Sequence, residues 1–132
     1  MKRLGFITKN KVLAQSLITV MKNYTELEAE PFMLLDPGQA AVDAEVLRLD
    51  VAVLDVVNEI RDESGAVSPF CEGLRAAAPG CQILLFVSQD NKGACDAAVA
   101  AVRGGAADDF LFYDSTLDYL FAKVLSLLKI SL

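Results

Sequence analysis

Val51-Ala52-Val53-Leu54-Asp55-Val56-Val57 is an aliphatic run interrupted by one polar side chain, Asp55. A strand with one wet face would alternate apolar and polar residues. A near-continuous apolar run between Asp50 and Asn58 reads instead as a strand covered on both faces. Ile83–Val87 has the same character. Such strands belong to parallel sheets sandwiched between helices. Working outward, Leu4–Thr8, Glu28–Leu35, Gln82–Val87 and Asp109–Phe112 are short, apolar and flanked by turn residues, which gives five predicted strands.

The segments between them carry helical patterns with legible ends. Asn10 is placed to cap a helix bearing Leu13, Leu17, Val20, Met21 and Tyr24 on one stripe. Asp36-Pro37 pairs a cap with proline at the first helical position and opens Gly38–Leu49. Ser68-Pro69 repeats the device, and Pro79-Gly80 ends the helix that it opens. Asp90 is the expected cap of Asn91–Arg103, which Gly104-Gly105 stops. Ser115 and Asp118 form the expected capping box of Thr116–Ile130. Strict alternation of strand and helix predicts a single α/β domain over residues 1–132. Its expected form is a flavodoxin-like (βα)5 fold, a five-stranded parallel sheet of order 2-1-3-4-5 with helices on both faces. The end directly after the last helix suits a domain boundary in a longer parent chain.

Composition removes whole classes of chemistry. The chain has 132 residues, 54% of them apolar, which is the make-up of a folded domain rather than a disordered one. No histidine is present, which excludes Ser-His-Asp catalysis and histidine-ligated metals. Cys71, Cys81 and Cys95 are odd in number and form no C-x-x-C pair, so they read as free thiols in a reducing compartment. The net charge of −6 argues against a nucleic-acid partner. That charge is uneven, because residues 1–25 hold Lys2, Arg3, Lys9, Lys11 and Lys22 and no acid. The apolar stretch after Met1-Lys2-Arg3 is too short for a secretion signal, and no run reaches the roughly 18 residues of a membrane span. The expected location is the cytoplasm, with no membrane partner.

In a sheet of this kind, chemistry gathers at the carboxyl ends of the strands. The residues that emerge there are Thr8-Lys9-Asn10, Asp55, Ser88-Gln89-Asp90 and Phe112-Tyr113-Asp114. A phosphate or flavin cradle needs glycines or serial hydroxyls so that backbone amides can approach the ligand. Thr8-Lys9-Asn10-Lys11 offers no glycine and one hydroxyl, so nucleotide or flavin binding has little support.

Three segments carry a resemblance that covers nearly the whole chain: Val51-Ala52-Val53-Leu54-Asp55, Ile83-Leu84-Leu85-Phe86-Val87-Ser88, and Gly105-Ala106-Ala107-Asp108-Asp109-Phe110-Leu111 followed by Leu117. In these the chain resembles the receiver domain of bacterial response regulators, the phosphoryl-accepting module of two-component signalling. The resemblance implies that Asp55 matches the phosphoacceptor and Ser88 the hydroxyl that binds the phosphoryl group in the active state. It also implies two adjacent acids after the first strand, which would hold a divalent ion with the phosphoacceptor, and Lys-Pro after the fifth strand. Here Thr8-Lys9 stands for the acids, and the first acid of the chain is Glu26. Phe112-Tyr113 stands for the Lys-Pro pair, and Asp109, with Phe110 adjacent, for the aromatic three residues before the lysine. Magnesium takes hard oxygen ligands, mostly carboxylate, phosphate and water. Thr8, Lys9 and Asp55 sum to zero charge where the family has about −3, so magnesium binding is expected to be lost or weak and no cofactor is expected. The pocket of Thr8, Lys9, Phe112 and Tyr113 is therefore that of a degenerate, or pseudo-receiver, domain.

Three roles for Asp55 stay open: a metal-dependent phosphoacceptor, a structural residue paired with Lys9 or capping loop amides, or part of an anion site with Lys9 and Lys11. Three functions follow. The leading one is a non-enzymatic regulatory module that works by protein contact. The second is a working receiver phosphorylated on Asp55 with an atypical acid set, such as Asp90 or Glu59. The third is a small flavodoxin-like enzyme or ligand-binding domain with a pocket over Lys9, Asp55, Ser88 and Asp114. The contact face follows from the last helix, whose Leu125, Leu127, Ile130 and Leu132 widen the apolar arc beyond Leu117, Leu120, Phe121, Val124 and Leu128. With Val99 and Val102 of the fourth helix, Leu125 and Leu127 are expected to present a face to a protein partner or to a second copy. The resemblance places that face on the fourth helix, fifth strand and fifth helix.

Overall fold

The computed structural model describes residues 1–130, without the side chain of Ile130, so Leu132 and that side chain lie outside the described residues. The five strands are β1 (Lys2–Ile7), β2 (Ala29–Leu34), β3 (Val51–Asp55), β4 (Gln82–Val87) and β5 (Asp109–Phe112). They form one parallel sheet of order β2-β1-β3-β4-β5. The helices are α1 (Lys11–Met21), α2 (Ala40–Leu47), α3 (Ser68–Ala77), α4 (Lys92–Arg103) and α5 (Leu117–Ile130). This is the expected flavodoxin-like architecture. No helix among the described residues is long and apolar enough to cross a membrane.

Alternation along each strand divides the core in two. Ile7, Ala52, Leu54, Ile83, Leu85 and Val87 face α2, α3 and α4. Leu4, Phe6, Val51, Val53, Leu84, Phe86 and Leu111 face the side occupied by α1 and α5. Every residue of β3 is buried, as its unbroken apolar run requires. The sheet edges are blunted: β2 carries Pro31, and β5 has four residues.

Local rules set the ends. Asn10 caps α1, its Oδ1 accepting from the Leu13 amide at 3.0 Å. Asp36 accepts from the Gly38 amide at 3.0 Å, but it opens a 3-10 turn, Pro37–Gln39, before α2 begins. Three expected caps move by one residue; for α3 the cap position is Val67 rather than Ser68, and no side chain bonds there. Asn91, not Asp90, caps α4 through the Ala94 amide at 3.0 Å. Thr116, not Ser115, receives the Tyr119 amide at 3.1 Å, while Asp118 accepts from the Tyr24 hydroxyl instead of closing a box.

Of the residues that widen the apolar arc of α5, the two whose side chains are described, Leu125 and Leu127, pack inside the domain. Leu127 is 6% exposed, and Leu125 is half-buried against the same cluster, because α5 covers the 3-10 turn Thr25–Leu27 as well as the sheet. Leu127 is therefore not part of an outer face. Val99 and Val102 are half-buried, Val102 against the core. Large apolar groups emerge instead around the β5–α5 junction, at Phe112, Leu117 and Tyr119.

Candidate functional site

Strand parity decides which side chains meet at the carboxyl edge of the sheet. Thr8 follows β1, Asp55 ends β3 and Tyr113 follows β5. Each lies two positions after a residue facing α1 and α5, namely Phe6, Val53 and Leu111. All three therefore converge on that side. Phe112 lies on the opposite parity and is partly exposed, with its ring edge-on to Phe110 at 5.7 Å between centroids. Sequence reading had Phe112 and Tyr113 share the pocket; Tyr113 alone of the two reaches Asp55.

Asp55 is 8% exposed and Thr8 3%, and among the described residues they are the buried polar side chains. Thr8 Oγ1 donates to Asp55 Oδ2 at 2.7 Å, and the Tyr113 hydroxyl donates to Oδ1. Thr8 Oγ1 also accepts from the Asn10 amide at 3.0 Å, which fixes the hydroxyl. A buried carboxylate is costly unless both oxygens are satisfied; Asp55 meets this with a neutral donor on each. The Tyr113 ring packs edge-on against Phe86 at 4.6 Å, an aromatic geometry that fixes its direction.

Lys9 does not take the place expected for it. Its ammonium lies 3.8 Å from Glu59, and both side chains are about half exposed. The reason is economy of solvation: a long, strongly hydrated ammonium keeps its water at the rim, while a threonine hydroxyl is cheap to bury beside a carboxylate. An exposed pair of this kind contributes about 0–1 kcal/mol. Pairing of Asp55 with Lys9 is thus replaced by pairing with Thr8 and Tyr113.

Ser88 is half-buried, and its Oγ accepts from the Asp90 amide at 3.3 Å. Beside it, the Cys95 thiol donates to the Ser88 carbonyl at 3.3 Å. Burial pushes the Cys71 thiol up to about 11 and the Cys81 thiol up to about 12. Cavities large enough for a small molecule, of about 320 and 600 Å³, are lined by Leu49, Asp50 and Gly80 and by Lys2, Asp50 and Leu125 respectively. Both sit at the amino edge of the sheet, opposite Asp55.

No family model and no curated protein matches the sequence. Solved structures do. The receiver domain of the Francisella response regulator 1452 superposes with a TM-score of 0.77 at 17% identity, covering 100% of each chain. The beryllofluoride-activated NtrC4 receiver domain dimer gives 0.77 at 18% identity, again over 100% of each chain. A two-component response regulator from Clostridium difficile gives 0.75 at 18% identity, over 98% of this chain and 97% of that one.

The chain has the receiver-domain fold.

On the receiver fold, the metal that the resemblance implies would sit beside Asp55 and the two residues after β1. The groups present do not suit it. Thr8 and Lys9 bring a hydroxyl and a cation, and both Asp55 oxygens already accept hydrogen bonds. Among the described residues, no three Asp, Glu, Cys or His side chains gather around one point. Of the two residues set against the Lys-Pro pair, Tyr113 is the one whose side chain reaches Asp55.

The Tyr113 phenol titrates well above its ordinary value of 10.0, pushed there by burial and then by the hydrogen bond to Asp55 and its charge. A proton held more tightly in the folded state stabilises fully below the unfolded pKa, and that stability is lost as pH rises through the folded one. Unfolding free energy should therefore fall as pH climbs past about 10, and Tyr113→Phe should flatten this decline in urea titrations at about pH 9 and 11. Much of the slope should remain and should begin nearer pH 9, because burial also raises the Cys71 and Cys81 thiols, and Lys123 and Tyr24, the latter chiefly through its bond to Asp118, are raised as well.

Proposed function

We propose that this chain is a receiver-fold regulatory domain that works by protein contact, without metal-dependent phosphoryl transfer and without enzymatic activity. The observation that carries the reading is the double capping of Asp55 by Thr8 and Tyr113. A phosphoacceptor must offer a free carboxylate oxygen in line with the incoming phosphorus and share a cation with it. Both requirements conflict with two neutral donors held on the carboxylate and with a lysine-bearing turn after β1.

The test is exposure to acetyl phosphate with magnesium, followed by intact-mass measurement. The native chain should gain no phosphoryl mass. A stoichiometric gain that disappears in Asp55→Asn would establish a working receiver and overturn the reading.

The proposed contact face lies on α4, β5 and α5, with Phe112, Leu117 and Tyr119 as its exposed apolar groups and Val99 half-buried on α4. The activated NtrC4 receiver domain, similar in fold, is a dimer. A second copy or a protein partner is the proposed occupant, and sedimentation over a range of concentrations distinguishes the two. The proposed setting is the cytoplasm, in keeping with the free thiols.

A further inference from the structure

The turn between β5 and α5, residues 113–116, is tied to the rest of the domain through one residue. Among the described residues its long-range hydrogen bonds are the Tyr113 amide to the Val87 carbonyl, at 2.8 Å, and the Tyr113 hydroxyl to Asp55. Its other bonds are local: the Ser115 amide to the Phe112 carbonyl at 3.1 Å, the Tyr119 amide to Thr116 Oγ1 at 3.1 Å and the Leu120 amide to the Thr116 carbonyl at 3.0 Å. Any residue but proline at position 113 would make the amide bond; the hydroxyl bond needs tyrosine.

The two ends of that hydroxyl bond differ in freedom. Asp55 is buried on a central strand and held by Thr8. Tyr113 is on a turn and 39% exposed, and it covers Phe86 with one ring edge. If the ring leaves, Asp55 Oδ1 opens toward the carboxyl edge of the sheet, where water can replace the phenol.

We propose that Tyr113 is a latch: with its hydroxyl on Asp55 the β5–α5 turn is fixed, and breaking that bond frees the turn, while the Tyr24 hydroxyl on Asp118 keeps the first turn of α5 in place. Phe112, Leu117 and Tyr119 flank the moving segment, so the shape of the exposed surface is set by a bond inside the domain. A partner that seizes the Tyr113 ring, or a donor that takes its place on Asp55, shifts the population to the open state by its differential affinity. The inference rests on Asp55 acting as a hydrogen-bond acceptor, and it names how that site is regulated.

Hydrogen exchange on the whole chain tests it. In Tyr113→Phe, the hydrogen-bonded amides of Tyr113, Ser115 and Tyr119, all of which depend on the turn, should exchange at least about tenfold faster, equivalent to about 1.4 kcal/mol of local opening. Amides of β1, β3 and β4 should keep their native rates. Thr8→Val, which removes the other donor to Asp55, should leave those three amides as in the native chain. Unchanged exchange in Tyr113→Phe would overturn the latch. So would equal loosening of those amides by Thr8→Val, since the bond would then be general support. Exchange is read without metal or phosphoryl donor, so phosphorylation of Asp55 in the separate assay would sink the functional reading without bearing on this result.

Discussion

A chain carrying Thr8→Asp, Lys9→Asp and Tyr113→Lys should take up phosphoryl from acetyl phosphate, with magnesium, at least about 100-fold faster than the native chain, or about 2.7 kcal/mol off the barrier. The substitutions restore three carboxylates around one point and return an ammonium to the end of β5. Each unit-charge pair at about 4 Å is worth about 4 kcal/mol at an effective dielectric near 20, before desolvation, so replacing a cation with two anions changes the attraction for a dication decisively. The scaffold needs no other change, since Asp55 already ends β3 beside position 8. Intact mass checks uptake, and adding Asp55→Asn should abolish it. Without magnesium the variant should melt below the native chain, because three clustered carboxylates repel and the Thr8 and Tyr113 bonds are gone; magnesium should raise its Tm. Magnesium binding without phosphoryl uptake would place the block elsewhere, with Ser88 the first suspect, since its hydroxyl is turned to the Asp90 amide.

Phe121→Ala should remove about 3–5 kcal/mol of stability, a large share of the roughly 5–15 kcal/mol that a domain possesses. Phe121 is 1% exposed and sits in the cluster that joins α1 and α5 to the sheet. Its ring lies 4.6 Å from that of Tyr24, so truncation leaves a cavity and strips a tyrosine whose hydroxyl is committed to Asp118. Urea unfolding should show a lower midpoint with little change in slope. Val46→Ala, on the exposed side of α2 at 72% exposure, should stay within about 0.5 kcal/mol of the native chain.

The fold was legible because burial on both faces leaves an unmistakable trace in Val51–Val57 and Ile83–Val87, and because Asn10, Asp36-Pro37 and Gly104-Gly105 punctuate the helices between strands. The site was legible by address and not by contact. Asp55 and Thr8 stand where the reading placed them, but the partner of Asp55 did not come from the nearest opposite charge. Charge suggested Lys9; the cost of burying an ammonium sent Lys9 to Glu59 and left the carboxylate to hydroxyls. Tyr113 could have been singled out by parity, since Leu111 is the apolar residue of β5 that points to α1 and α5 and Tyr113 lies two positions on. A strand of four residues gives too little alternation to fix that parity from sequence, and one position of slip exchanges Phe112 for Tyr113. The same limit explains Leu125 and Leu127: a wide apolar arc shows that a helix covers two things, and not whether the second belongs to the same molecule.

The unequal placement of the sulfur atoms has a practical outcome. With Cys71 and Cys81 sealed in the core and reluctant to ionise, a maleimide dye or nitroxide should attach first at Cys95 on α4. That sulfur is one hydrogen bond from the Ser88 carbonyl, so the tag reports from the loop beside the aspartate without any engineered mutation.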